Sequence, residues 1–170
     1  MTYNPNPGDI GLVKMEGPGG HTIRVLQFLN GDGFKDFQHA FVYVGNGKIV
    51  EAMPGGARLA DLSHYDGYKI LWLRCPTKYG ADVAQAAISM IGVPYSWADY
   101  GAIALHRFKI PTPHLRHYIE TSRHQICSQL ANRATMIGGW HIFQDDRWPG
   151  DVVPGDLTRE ALRQNATPIR

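Results

Sequence analysis

Apolar residues fall into two regimes along this chain. In the first half they come in short runs with β-branched and aromatic members, bounded by Gly and Pro. Asp9 to Lys14 (DIGLVK) is such a run, placed after the Pro7-Gly8 turn. His21 to Phe28 alternates partly and reads as a strand or a helical turn. His39 to Met53 is the clearest: two strand-like runs flank Gly45-Asn46-Gly47, a hairpin signature. Lys69 to Leu73 predicts one more strand, closed by Pro76. In the second half the spacing becomes helical. From Ala81 to Ile91 apolar residues fall at 83, 84, 87, 88 and 91, with Gly92 and Pro94 ending the helix. A second helix starts around Cys127 with the stripe Ile126, Leu130, Ala134 and Ile137, and stops at Gly138-Gly139. A short third helix follows Asp156, which is expected to cap it. Residues 163–170 are expected to fray. The stretch Pro111 to Arg123 reads as a polar, His-bearing loop or insertion.

No repeat and no Gly-, Ser- or Pro-rich linker divides the pattern, so residues 1–170 are read as one domain. At 170 residues a chain buries roughly 70% of its unfolded surface and can build its own core. Composition changes this picture little: 44% hydrophobic and 19% charged is ordinary globular usage and argues against disorder. A net charge of +2 gives no electrostatic footprint for nucleic acid. The N-terminus has no charged segment followed by an apolar one, and no run approaches the roughly 20 apolar residues of a membrane helix. The expectation is a chain made in the cytoplasm, without signal peptide or membrane anchor.

Two cysteines exclude a disulfide scaffold and leave two candidate thiols. Cys75 ends an apolar strand and fits a small buried hydrophobe. Cys127 lies in the first turn of a predicted helix, where free N–H groups and the helix dipole favour a thiolate and can hold an oxyanion. Taken alone it fits a core residue equally well; a partner base decides. Of eight histidines, His39 opens a strand, so the sheet would fix its position. His39, Phe41 and Tyr43 share a strand face. With a two-residue Asn46-Gly47 loop, Glu51 opposes Val42 and faces the wrong way. With a three-residue Gly45-Asn46-Gly47 loop, Val44 pairs with Lys48, Phe41 pairs with Glu51, and Glu51 shares the face of His39. Glu51 also interrupts an apolar strand, an odd place for a carboxylate without a partner. Tyr43, Tyr95, Trp97 and Trp140 are aromatic candidates for a cleft lining, with core packing as the alternative. HExxH, paired CxxC, P-loop and G-x-S-x-G patterns are missing, so no metal, no cofactor and no serine nucleophile are expected.

The strings GDIGLVK, HAFVYVGNGKIVEAMPGG, ICSQLANRA and VPGDL together resemble the YiiX-like, circularly permuted NlpC-type cysteine peptidases, which share a papain-like core. In the unpermuted family the Cys precedes the His; here His39 precedes Cys127. The segment IGVPYSW resembles a Gly-x-Pro-Tyr element that lies just before the nucleophile in the wider family, yet Tyr95 is far from Cys127. The likeness covers about Gly8 to Leu157. It implies an α+β fold, an antiparallel sheet or small barrel packed against helices. It implies Cys127 as nucleophile, His39 as general base and Glu51 as the orienting group. The implied activity is hydrolysis of an amide bond in a cell-wall peptide. Related acyltransferases of the lecithin:retinol type carry Asn before the Cys and a membrane anchor. Ile126 stands there instead, which disfavours the alternative of a thioesterase or acyltransferase on lipid-like acyl groups. A third alternative is a structural or docking component of an assembly. Without a signal, a wall hydrolase needs a delivering partner, such as phage tail proteins or a lysis pore.

Overall fold

The computed structural model describes residues 3–14, 36–94, 126–145 and 152–169. The strands are β1 (Ile10–Val13), β2 (His39–Gly45), β3 (Lys48–Met53), β4 (Gly56–Asp61) and β5 (Ile70–Leu73), and a 3₁₀ turn, Leu62–Tyr65, follows β4. The helices are α1 (Thr77–Ser89), α2 (Cys127–Ile137) and α3 (Pro154–Arg163). The five strands form one sheet in the order β4-β3-β2-β1-β5, with every pairing antiparallel. The expected α+β class therefore holds.

The sheet is apolar on both faces. Ile10, Leu12, Ala40, Val42, Val50, Leu71 and Leu73 face the helices and pack with Val83, Leu130, Ala134 and Leu157. The alternate residues Val13, Phe41, Tyr43, Ile49 and Trp72 form a second, smaller cluster with Tyr3, Leu62, Tyr65 and Ile70. Burying each large apolar side chain of these clusters contributes about 1.5–3 kcal/mol. Helix α2 lies across β2 and β3, and α3 packs on β5 and β1.

The hairpin differs from expectation in an instructive way. Its loop is two residues, Asn46 and Gly47, both at positive φ. The pairs are Gly45↔Lys48, then Tyr43↔Ile49 and Phe41↔Glu51, with a bulge between Tyr43 and Gly45. The extra residue sits in the strand, at Val44, rather than in the loop. The pairing Phe41↔Glu51 is the expected one, because a bulge shifts register as a third loop residue would.

Other expectations are corrected. Strand β4 was not anticipated. It follows β3 through a tight Pro54-Gly55 turn and pairs with it along its whole length. Helix α1 begins at Thr77, before the expected Ala81, and Ile88 and Ile91 at its end are exposed. Ile137 is also exposed, so the stripe of α2 ends at Ala134. Asp156 does not occupy the cap of α3. Val153 does, and the Asp156 carboxylate lies in the first turn and accepts the Val153 N–H at 2.9 Å. In the C-terminal segment Ile169 exchanges two backbone hydrogen bonds of 2.9 Å with Ile70, tying it to the β5 edge. The possible strand at His21–Phe28 and the Pro111–Arg123 stretch lie outside the described residues.

Candidate active site

Cys127 is the first residue of α2 and is buried. The chain enters the helix from an extended Ile126, whose N–H donates to the Gln129 side chain at 3.0 Å. Ser128 is buried beside Cys127 and donates its hydroxyl to the Val152 carbonyl at 2.7 Å. These bonds lock the first turn of α2, which holds the thiol at the positive end of the helix dipole.

His39 opens β2 and is 2% exposed. Its position at the strand end lets it bridge two clusters: Phe41 and Tyr43 on its face belong to the small cluster, while Cys127 belongs to the helix-side core. Nε2 of His39 lies 2.9 Å from Oε2 of Glu51, which leaves Nδ1 for the thiol. Burial by itself pushes the His39 pKa down. Charge and hydrogen-bond interactions with Cys127, and then with Glu51, outweigh it and raise the ring to about 9.

Glu51 is fully buried and accepts from three side chains. Oε2 accepts from His39 and from the Tyr65 hydroxyl at 2.5 Å. Oε1 accepts from Nε and Nη2 of Arg58 at 2.9 and 2.8 Å. Burial works to raise its pKa; His39, Tyr65 and Arg58 overcome that and hold it down at about 2. The Tyr65 phenol, half-buried beside this carboxylate, is pushed well above its ordinary value by that burial and by the carboxylate. A buried carboxylate this fully bonded remains charged at neutral pH and orients the imidazole.

Tyr65 and Arg58 were missed from sequence. Arg58 is the direct cross-strand partner of Glu51, and Pro54-Gly55 between two β-capable runs was the signal for it. Tyr65 follows the end of β4 in the 3₁₀ turn and carried no local signal. Its ring stacks on Phe41 with centroids 5.0 Å apart.

The aromatic candidates fare differently. Tyr43 is a core residue: it packs against Trp72, and its hydroxyl accepts the Gly47 N–H at 3.1 Å. It stands at the turn end of β2, away from His39. Trp140 is also core, buried past the C-terminal end of α2, the opposite end from Cys127. Tyr95 and Trp97 lie outside the described residues. Cys75 is half-buried, and its N–H donates to Asp9 Oδ1 at 2.8 Å. Burial, with the Asp9 charge added, pushes its thiol up to about 12, so it stays protonated at neutral pH.

No protein-family model matches the chain, and no curated protein matches it. Among solved structures it is similar to the crystal structure of the metalloprotein YiiX from Escherichia coli O157:H7, a DUF1105 protein. The likeness has a TM-score of 0.56 and 15% identity, and covers 88% of this chain and 79% of that one. At that identity it is a likeness of fold alone, a YiiX-like α+β arrangement of one antiparallel sheet with helices packed on it.

Proposed function

We propose that this chain is a cysteine hydrolase that cleaves an amide bond, with Cys127, His39 and Glu51 as a triad. The observation that carries the reading is the buried relay itself. A thiol at a helix N-terminus interacts with a buried histidine whose Nε2 is held by an ionised carboxylate. His39 takes the thiol proton, and the Cys127 thiolate attacks the substrate carbonyl. The oxyanion is stabilised by N–H groups at the start of α2. His39 then protonates the leaving amine as the tetrahedral intermediate collapses to a thioester. Water, deprotonated by His39, attacks the thioester and releases the acid and free Cys127.

YiiX is described as a metalloprotein. In this chain both oxygens of Glu51 are occupied by donors. Among the described residues no group of three or more His, Cys, Asp or Glu is placed to hold an ion. Those residues do not fit a metal centre.

The resemblance of the His-hairpin and the Cys helix supports peptidoglycan stem peptides as substrate. The test is a digest of purified peptidoglycan and its stem peptides, read by mass spectrometry, beside Cys127→Ala. Fragments made by the wild type alone support the reading and name the bond. Fragments from neither protein exclude that substrate, and acyl thioesters become the next class to assay.

A further inference from the structure

Glu51 has more partners than an orienting carboxylate needs. His39 uses one lone pair of Oε2; Tyr65 and Arg58 occupy the others offered by the two oxygens. The Tyr65 hydroxyl sits on the same oxygen as the His39 ring, at 2.5 Å against 2.9 Å. Its aim is set by packing, since the ring stacks on Phe41 at 5.0 Å and meets Tyr68 edge-on at 5.8 Å. Arg58 is placed by the β3–β4 register, directly opposite Glu51. Both residues thus reach the carboxylate from one structural unit, β4 with its following turn.

We propose that Tyr65 and Arg58 are positioning residues: acting through Glu51, they fix its carboxylate plane against the His39 ring and limit how strongly it holds the imidazolium proton. The inference rests on the hydrolase reading. A donor added to Oε2 lowers the electron density that this oxygen offers to His39. The Arg58 guanidinium offsets the Glu51 charge, so a Cys127 thiolate, His39 imidazolium, Glu51 carboxylate and Arg58 cation sum to zero. An unmoderated carboxylate would grip the imidazolium, and His39 must release that proton to the leaving amine. Among the described residues, the groups facing His39 are Cys127, Glu51 and the ring of Tyr65; those facing Glu51 are His39, Tyr65 and Arg58.

The test is the titration midpoint of the His39 ring by NMR, its resonance assigned by loss in His39→Ala. Tyr65→Phe keeps the stacked ring and deletes one donor. It is expected to raise the midpoint by about half a pH unit or more, a roughly threefold gain in proton affinity. Arg58→Gln is expected to raise it less, because that guanidinium is half-exposed and screened by solvent. Arg58→Lys, which keeps the charge, is expected to return it toward wild type. An unchanged or lowered midpoint in a folded Tyr65→Phe overturns the proposal. Should Tyr65→Phe fail to fold, the direction of shift in Arg58→Gln decides by the same criterion. The titration needs no substrate, so its outcome is separate from the wall digest. Raised midpoints with no digestion leave the positioning role standing and remove the substrate; digestion with unmoved midpoints keeps the substrate and removes the positioning role.

Discussion

Glu51 shows what a single buried charge requires. A carboxylate without exposure is tolerated because each oxygen accepts hydrogen bonds, two of them from a guanidinium. Glu51→Gln replaces one acceptor with an amide donor that must face another donor, at a cost of about 1–3 kcal/mol in stability. Thermal denaturation measures that cost. Turnover should fall as well, though less than in His39→Ala, because the amide still leaves the base in place. Loss of the base itself should lower turnover by about 10²–10⁴-fold. Cys127→Ala should abolish hydrolysis with the fold intact, whereas Cys75→Ser should turn over as wild type does. The reverse pattern in a folded protein would show that the wrong thiol has been assigned. At this scale the pairing of His39 with Glu51 and the place of Cys127 at a helix start were legible in the sequence through residue type and context. Tyr65 was not, because its contact with Glu51 spans 14 positions and no periodicity encodes it.

Among the elements, the β2–β3 hairpin decides whether Glu51 meets His39. A regular two-residue loop would have turned Glu51 away from His39; the bulge at Val44 restores the shared face. The turn residues made a one-residue offset readable, but they did not say whether loop or strand would hold it. A neighbouring close contact ties β1 to the same site. A Cβ on Gly11 would stand 2.2 Å from the Phe41 ring, and that ring supports Tyr65. Gly11→Ala should therefore cost about 1–3 kcal/mol through overpacking. Activity should drop with it as Tyr65 shifts on Glu51. Comparing urea midpoints with turnover separates the two effects. In α3, Asp156 accepts the Val153 N–H and also pairs with Arg159. Asp156→Ala should lower stability by about 0.5–2 kcal/mol, read by thermal denaturation, without touching the His39 titration.

For the whole molecule, the relay couples stability to pH. His39 is raised from 6.5 to about 9, so its contribution is complete below pH 6.5 and is lost as pH climbs through 9. Glu51 is lowered from 4.5 to about 2, so its contribution is complete above pH 4.5 and is lost as pH falls through 2. Together they contribute fully between pH 4.5 and 6.5. Urea midpoints measured across pH should show this window, and its alkaline edge should be weaker in Cys127→Ala, which removes one of the two groups raising His39. The same scale explains the fold likeness at 15% identity. A sheet apolar on both faces, with a helix laid across β2 and β3, is specified by pattern more than by residue identity.

The sequence alone determined what depends on nearest neighbours along the chain. Four of the five described strands came from runs and turns, the helices from spacing, and the thiol's place at a helix start from the onset of that spacing. Counting across one hairpin narrowed the face of Glu51 to two registers, and the bulge between Tyr43 and Gly45 chose the one it shares with His39. Tertiary structure decided what depends on the meeting of distant segments. It brought Cys127 against His39, 88 positions earlier in the chain. It set Arg58 and Tyr65 on Glu51, drew Tyr43 and Trp140 into core packing, and tied Ile169 to Ile70. The physical reason is that local pattern reports which face of an element is apolar. Which partner covers that face, and which buried polar atom finds which donor, is settled only when the elements pack.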